Sequence, residues 1–361
     1  MSGGHGDFFG DVEMTDQSSL PNCRATGIGS TPHKDVAAAV EFVLETFPEV
    51  PFWPQLPRRT FLENMYVQFA EHLPGVQLDF EAERIFVQLD EAWPELAEQF
   101  YAAFLAEDVE LFATGMEYAA GLYTFLERGP LTGAWAVKGH VTGPISFGLQ
   151  VTDQHRRPSW YDEMMRDVIV KNVLRQAQWQ ESRLRTLCPR TITSIDEPFL
   201  SAFGSAYTSI SREEVIGALE EVFSGLSGLK ATHCCANTDW SLLLETSVDI
   251  ILFDAWEYAE YLALYPDELR RFLARGGMLG WGIVPSSGEA AENATPEGVW
   301  NALERALTLF ERKGFDRREL LPRSFITPSC GTGPATIPVA EQVMRLTQEL
   351  SARVREEYGL L

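Results

Sequence analysis

The stretch LKATHCC, residues 229–235, holds both the pattern that decides the fold and the residues that carry chemistry. It is short, and apolar and β-branched side chains dominate its first part, which is typical of a buried β-strand. Side chains alternate between the two faces of a strand, so His233 and Cys235 share one face and Cys234 lies on the other. The stretch therefore predicts a strand that ends with an imidazole and a thiol on the same side.

Similar short stretches recur along the chain, and longer segments with helical periodicity separate them. The eight predicted strands lie near residues 25–29, 50–54, 135–141, 190–195, 229–234, 249–253, 278–284 and 323–329. Strands that alternate with amphipathic helices indicate an α/β protein with a parallel sheet. A (β/α)8 TIM barrel closes such a sheet without leaving edges, and it is our predicted fold. An open doubly wound sheet is the main alternative, but no Gly-rich phosphate-binding turn follows the first strand.

Two segments depart from this alternation. Residues 76–89 alternate apolar and acidic side chains, which predicts a hairpin inserted after an early strand. Residues 1–22 are rich in Gly, Asp and Ser and lack hydrophobic periodicity, which predicts a flexible N-terminal tail. We therefore expect a single (β/α)8 barrel domain over residues 23–361.

The charge balance argues against several classes of partner. The chain has 361 residues with 52 acidic and 29 basic side chains, and its formal net charge is −23. This negative charge opposes binding to nucleic acids and to anionic membranes. The sequence shows no N-terminal targeting signal and no apolar run as long as a membrane span. Its five cysteines are an odd, sparse set, which argues against a disulfide framework and predicts a reducing, cytoplasmic location.

Polar side chains lie where the predicted strands end, and this is the end of a (β/α)8 barrel at which reactive groups collect. His233 and Cys235 end the fifth strand, and Cys330 ends the eighth. One imidazole and two thiolates are ligands that suit a catalytic zinc ion, which keeps a further position for substrate. Asp254 ends the sixth strand, and it is either a fourth ligand or the cap of the following helix.

An acidic pair ends the fourth predicted strand. Asp196 and Glu197 stand directly before Pro198, which favours an extended or turn conformation. The pair is either structural, as a helix cap or a loop charge, or an acceptor for the ammonium or hydroxyl group of a substrate. The sequence leaves both readings open.

Five motifs occur at the predicted strand ends: TGIGS at residues 26–30, TGP at 142–144, IDEP at 195–198, HCC at 233–235 and PSCG at 328–331. In this order and at this spacing they resemble the C-terminal catalytic barrel of cobalamin-independent methionine synthase. That barrel belongs to the superfamily that includes uroporphyrinogen decarboxylase. The resemblance spans roughly residues 24–350 and implies a (β/α)8 barrel that binds zinc.

The resemblance also implies a set of zinc ligands. The family binds zinc through His, Cys, Glu and Cys, and three of those positions fall on His233, Cys235 and Cys330. Asp254 stands near the position of the family's glutamate. Its side chain is shorter, and it is offset by a few residues.

The resemblance further implies contacts with the substrate. A serine and an aspartate contact homocysteine in the family, and these positions fall on Ser30 and Asp196. Glu197 lies beside that aspartate in the same motif. Gln55 stands where the family has a glutamate that holds the substrate amino group, so the acceptor of this chain is homocysteine or a related thiol.

These implications lead to one leading hypothesis and two alternatives. The leading hypothesis is a zinc-dependent methyltransferase that moves a methyl group to a small thiol, with Asp196 and His233 as catalytic residues. We expect a methylated corrinoid, such as methylcobalamin or a corrinoid carrier protein, as donor, because the chain has no counterpart of the N-terminal half that helps bind polyglutamylated folate. One alternative is a metal-independent decarboxylase that resembles uroporphyrinogen decarboxylase and uses Arg24, Arg58 and Arg59. The other is a non-catalytic zinc-binding relative.

Overall fold

A computed structural model describes residues 20–206 and 208–361, and its strands form two sheets. Seven parallel strands form a curled sheet in the order β1-β10-β9-β8-β7-β6-β4, and β2, β3 and β5 form a small second sheet. The strands are β1 Arg24–Ala25, β2 Val76–Asp79, β3 Arg84–Val87, β4 Val137–Thr142, β5 Thr152–Asp153, β6 Thr191–Asp196, β7 Leu229–Cys234, β8 Ile250–Phe253, β9 Met278–Val284 and β10 Ser324–Pro328. The predicted α/β class and parallel sheet are therefore confirmed.

Helices connect the strands and cover the outer face of the large sheet. The α-helices are α1 Val36–Thr46, α2 Trp93–Leu105, α3 Ala120–Leu126, α4 Pro144–Gln150, α5 Glu163–Leu184, α6 Arg212–Ser224, α7 Ser241–Leu244, α8 Ala255–Leu262, α9 Pro266–Ala274, α10 Gly288–Glu292, α11 Pro296–Glu311, α12 Arg317–Leu320 and α13 Ile337–Tyr358. Nearby residues explain where some of these helices begin. Ser211 and Glu214 form a capping box at the start of α6, and Pro338 lies in the first turn of α13.

The predicted closed eight-stranded barrel is not fully formed, because the second predicted strand is not a strand. The stretch PFWPQ, residues 51–55, lies between the two edge strands β1 and β4. It makes one isolated parallel bridge with Ser30, which follows β1, and one with Lys138 of β4. The two prolines in this stretch have no N–H to donate to a ladder, so hydrogen bonding stops at single bridges. The result is a curled seven-stranded sheet with an extended segment along its open side.

The predicted hairpin at residues 76–89 is present. β2 and β3 pair in antiparallel register, with Val76 opposite Val87 and Asp79 opposite Arg84. β5 adds to β3 in parallel, so the small sheet has three strands. The hairpin follows the extended segment 51–55, as the prediction of an insertion after an early strand requires.

Two apolar layers hold the fold together. The first fills the interior of the curled sheet, and its buried members are Ile28, Val50, Ala136, Ile192, Ala231, Ile250, Leu252, Met278 and Phe325. The second and larger layer lies between the sheet and the helices. Each large aliphatic side chain in these layers contributes about 1.5–3 kcal/mol when fully buried.

The predicted N-terminal tail lies mostly outside the described residues, because the described chain starts at Leu20. Asn22, within the predicted tail, donates its backbone N–H to the carbonyl of Pro322 at 2.9 Å. The chain is therefore already fixed to the sheet at that point. The extent of the single barrel domain stays a prediction. Among the helices of residues 20–206 and 208–361, none has the length and apolar character needed to cross a membrane.

Candidate metal centre

His233, Cys235 and Cys330 come together at the end of the large sheet. Their ligand atoms all lie within 4.8 Å of one another, and in the described residues they form the one group of at least three His, Cys, Asp or Glu side chains that could hold a metal ion. His233 is in β7 and Cys235 follows it, whereas Cys330 follows β10. β8 and β9 lie between these strands in the sheet, so the side chains meet because the sheet curls.

Each of the three residues affects the protonation of the others. The neighbouring Cys330 thiol lowers the pKa of Cys235 by hydrogen bonding to its thiolate form, although burial opposes this shift. The same contact, together with burial, raises the pKa of Cys330. Burial works against protonation of His233, but the neighbouring Cys235 thiolate outweighs it and raises the pKa of the imidazole. The trio therefore favours a thiolate at Cys235 even without a cation.

The donor set fits a zinc ion. His233 is 3% exposed, and neither of its ring nitrogens has a partner of hydrogen-bonding geometry in the described residues. A buried imidazole without such a partner is costly, and a metal ion can satisfy it. Ligands at about 2.0–2.3 Å from a tetrahedral ion lie roughly 3.3–3.8 Å apart, so small side-chain adjustments bring the three atoms around one ion. Three ligands leave a fourth position open.

Asp254 lies outside this group. Its carboxylate caps α8 by accepting a hydrogen bond from the backbone N–H of Glu257 at 2.9 Å. Burial raises the pKa of Asp254 to about 6, and the nearby His233 acts in the opposite direction. Of the two readings of Asp254, the geometry supports the helix cap.

Asp196 lies next to the metal group because its strand pairs with the strand that carries His233. It is the last residue of β6, and it pairs with His233 across the parallel ladder to β7. Its carboxylate accepts a hydrogen bond from the Ser194 hydroxyl at 2.6 Å. Burial raises the pKa of Asp196, and the ammonium of Lys138 opposes the rise. Asp196 is thus a half-buried acid next to a candidate metal ligand.

Glu197 has a different environment from Asp196. Its side chain is fully buried, and its two oxygens accept hydrogen bonds from the backbone N–H of Ile145 at 2.9 Å, the backbone N–H of Ser146 at 2.7 Å and the Ser146 hydroxyl at 2.6 Å. These donors belong to the first turn of α4, where a carboxylate is favourable. The carboxylate therefore already has three partners within the protein, and a contact with substrate stays a prediction.

Ser30 and Gln55 lie beside the loop that carries Cys330. The Ser30 carbonyl accepts a hydrogen bond from the backbone N–H of Thr332 at 2.9 Å, and its hydroxyl accepts one from Gly333 at 3.3 Å. Gln55 pairs with Ser30 through the isolated bridge, and its amide donates to Gln68 at 2.8 Å. Both predicted substrate contacts therefore lie at the same end of the sheet as the metal group.

Two buried polar residues of β4 were missed as site residues or given little weight. Lys138 is 1% exposed and donates to the carbonyl of Ile28 at 2.5 Å. His140 is also buried, and its ring stacks on Trp53 with centroids 4.1 Å apart. The signal was present in the sequence, because Lys138 and His140 alternate with small residues in a strand that is otherwise apolar.

The arginines that the decarboxylase alternative requires are engaged elsewhere. Arg24 pairs with Glu49 at 2.8 Å, at the start of β1. Arg58 donates to the backbone carbonyl of Gly333, and Arg59 pairs with the buried Glu63. The geometry does not favour a cluster of free guanidinium groups that could hold several substrate carboxylates.

Two solved structures share this architecture over nearly the whole chain. A B12-independent methionine synthase from Shewanella sp. W3-18-1, in complex with selenomethionine, matches with a TM-score of 0.57 at 16% identity, covering 94% of this chain and 99% of that chain. The chain has the fold of B12-independent methionine synthase. A methyltransferase from Methanosarcina mazei matches with a TM-score of 0.52 at 12% identity, covering 94% of this chain and 98% of that chain.

These matches confirm the predicted resemblance at the level of the fold. No protein-family model matches the chain, and no curated protein matches its sequence. At such low identities the likeness concerns architecture, and the chemistry has to be argued from the residues of the site.

Proposed function

We propose that the protein is a zinc-dependent methyltransferase that transfers a methyl group to a small thiol. The observation that carries this proposal is the convergence of His233, Cys235 and Cys330, whose ligand atoms lie within 4.8 Å of one another. A zinc ion held by these residues would supply a Lewis acid that keeps a substrate thiol deprotonated at neutral pH. The methyltransferase fold supports the same reaction class.

The residues of the chain have distinct roles in this scheme. The thiol proton leaves to solvent, its sulfur attacks the methyl carbon, and the donor keeps the electron pair of the broken bond. His233 holds the metal with the two cysteines, and half-buried Asp196, which pairs with His233 across the ladder, orients the polar part of the acceptor. Ser30 borders the acceptor on the side of the Cys330 loop. Orientation of this kind supplies much of the rate in displacement reactions.

Within this proposal, a methylated corrinoid is the donor. The net charge of −23 makes the surface a poor match for a polyglutamylated folate, which is itself anionic. A corrinoid, free as methylcobalamin or bound to a carrier protein, does not require a polyanion site. We place the reaction in the cytoplasm because the two thiols must stay reduced to bind metal.

The test combines metal content with methyl transfer. The purified protein should contain about one zinc per chain, and should form a thioether from methylcobalamin and homocysteine or a related thiol. Cys235→Ser and Cys330→Ser should each lose both properties. Cys234→Ser is the matched control, because Cys234 lies on the opposite face of the same strand and is absent from the metal group.

The outcomes separate the alternatives. Thiol methylation that continues after complete removal of the metal would contradict the scheme. Absence of stoichiometric zinc together with decarboxylase activity would favour the metal-independent alternative. Bound zinc without methyl transfer for any thiol and donor, methylfolate included, would indicate a non-catalytic relative.

A further inference from the structure

The buried ammonium of Lys138 is the strongest feature that the proposed function does not use. Lys138 is on β4 and is 1% exposed, and its Nζ donates to the carbonyl of Ile28 at 2.5 Å. The two residues are 110 positions apart in the chain. Lys138 lies on the edge strand β4, and Ile28 follows the opposite edge strand β1. Burying an ammonium is unfavourable unless its hydrogen bonds and charge are used, so this contact requires an explanation.

The chain at Ile28 has little other support from strand pairing. β1 pairs with β10 only through Arg24 opposite Phe325 and Ala25 opposite Ile326, followed by one further bond from Thr26. Beyond that point β10 ends at Pro328, which has no N–H to donate. On the other side, the extended segment 51–55 contributes one bridge at Ser30. Lys138 thus supplies a hydrogen-bond donor to the chain at Ile28, where strand pairing with β10 has stopped on one side and the segment 51–55 makes only a single bridge on the other.

The position of this part of the chain sets the position of the Cys330 loop. Ser30 lies two residues after Ile28, and it receives backbone hydrogen bonds from Thr332 and Gly333. Gly331 packs so closely that an added Cβ would lie 2.2 Å from the Ser30 hydroxyl oxygen. A displacement at Ile28 would therefore move the loop that begins at Cys330.

We propose that Lys138 is a positioning residue for the candidate metal centre. Its ammonium fixes the chain from Ile28 to Ser30 across the open side of the sheet, and Ser30 in turn fixes the loop that holds Cys330 near His233 and Cys235. The contacts of Lys138 with Ile28 and of Ser30 with Thr332, Gly333 and Gly331 support the effect on the loop. The effect on metal binding rests on the proposed function.

The first experiment measures hydrogen exchange in the metal-free protein. Lys138→Met should raise the exchange rate of peptides covering residues 329–335 about 10-fold or more, and should leave peptides from β8 and β9 unchanged. Lys230→Met is the matched control, because Lys230 is a partly exposed strand lysine whose side chain has no such bond to β1. Unchanged exchange at residues 329–335 in a folded Lys138→Met protein would overturn the proposal.

Two further variants keep the test decisive if Lys138→Met does not fold. Lys138→Arg and Lys138→Gln both keep N–H donors, but only the longer arginine can span the distance that lysine spans. Exchange at residues 329–335 should be near normal in the Arg variant and faster in the Gln variant. Equal exchange in both variants would overturn the proposal.

The second experiment uses cobalt(II) in place of zinc. In Lys138→Met, the thiolate-to-cobalt absorption should fall to about half and the affinity should fall about 10–100-fold, as expected when the support of one ligand is lost. A normal cobalt spectrum and affinity in this variant would contradict the positioning role. If the unmodified protein binds no cobalt or zinc, the proposed function fails, and the exchange experiment alone decides the role of Lys138.

Discussion

Replacing Glu197 tests whether this residue serves the fold or the substrate. Its buried carboxylate accepts three hydrogen bonds from Ile145 and Ser146 at the start of α4. In Glu197→Gln, the amide oxygen can keep the two bonds from Ser146, but the amide NH2 then faces the N–H of Ile145. The N–H of Ile145 and the introduced NH2 are then both buried donors without an acceptor, and each costs about 1–3 kcal/mol of the free energy of unfolding. Glu197→Ala removes both acceptor oxygens, leaves all three donors without a partner and should cost about 3–6 kcal/mol.

The stability difference between the unmodified protein and Glu197→Gln should depend on pH, and the pKa of Glu197 gives the direction of the change. Burial raises the pKa of Glu197 from 4.5 to about 7 in the folded protein, against the opposing effect of its hydrogen bonds. Between these two values the folded state holds more protons than the unfolded state, so this group's contribution to stability is complete below pH 4.5 and is lost as the pH rises to about 7. The difference corresponds to about 3 kcal/mol. The Gln variant has no such contribution.

The assay is urea unfolding of both proteins from pH 5 to pH 8, with Glu98→Gln as the control because Glu98 is an exposed acid on α2. The stability advantage of the unmodified protein over Glu197→Gln should shrink as the pH rises. An advantage that grows with pH would show that the three donors outweigh burial and lower the pKa. A variant of normal stability that binds the thiol weakly would refute the structural role and support the substrate contact.

Four further substitutions test the geometry around the site. Asp254→Ala should lower the free energy of unfolding by about 1 kcal/mol through loss of the helix cap while zinc content is retained, and loss of zinc would identify Asp254 as a ligand. Gly282→Ala should destabilise the protein by at least about 3 kcal/mol in chemical denaturation, because the added Cβ would lie 2.9 Å from the backbone of Ser329, and a smaller loss would mean that the strands can separate. Gly331→Ala should weaken zinc binding measured by chelator competition, and Ser30→Ala should partly restore it, since the added Cβ meets the Ser30 hydroxyl. Additive effects of the last two substitutions would contradict that contact.

The metal group illustrates what local patterns can predict. The alternation of side chains in a strand separated His233 and Cys235 from Cys234, and the described structure shows the same division. Cys330 could be included because it follows another predicted strand, and parallel strands end at the same edge of a sheet. This reasoning required only the spacing of residues and the regular geometry of strands.

The open side of the sheet and the role of Glu197 were harder to predict. The prolines of residues 51–55 were a visible signal against a continuous strand, but the apolar character of that stretch outweighed it in the prediction. Glu197 gave no comparable signal, because its partners are more than 50 residues away in the chain. Lys138 gave a local signal as a polar residue in an apolar strand, but its contact could not be predicted, because its partner Ile28 is 110 positions away in the chain.

The sequence by itself determined the alternation of strands and helices, the parallel sheet and the strand-end position of the candidate metal ligands. These properties follow from hydrophobic periodicity and side-chain alternation, which act over a few residues. Only the tertiary structure decided that the sheet curls enough for Cys330 to meet Cys235, that Asp254 and Glu197 serve helix starts, and that Lys138 joins β4 to the chain after β1. These outcomes depend on how distant elements pack, and the free energy of that packing is not contained in any local stretch.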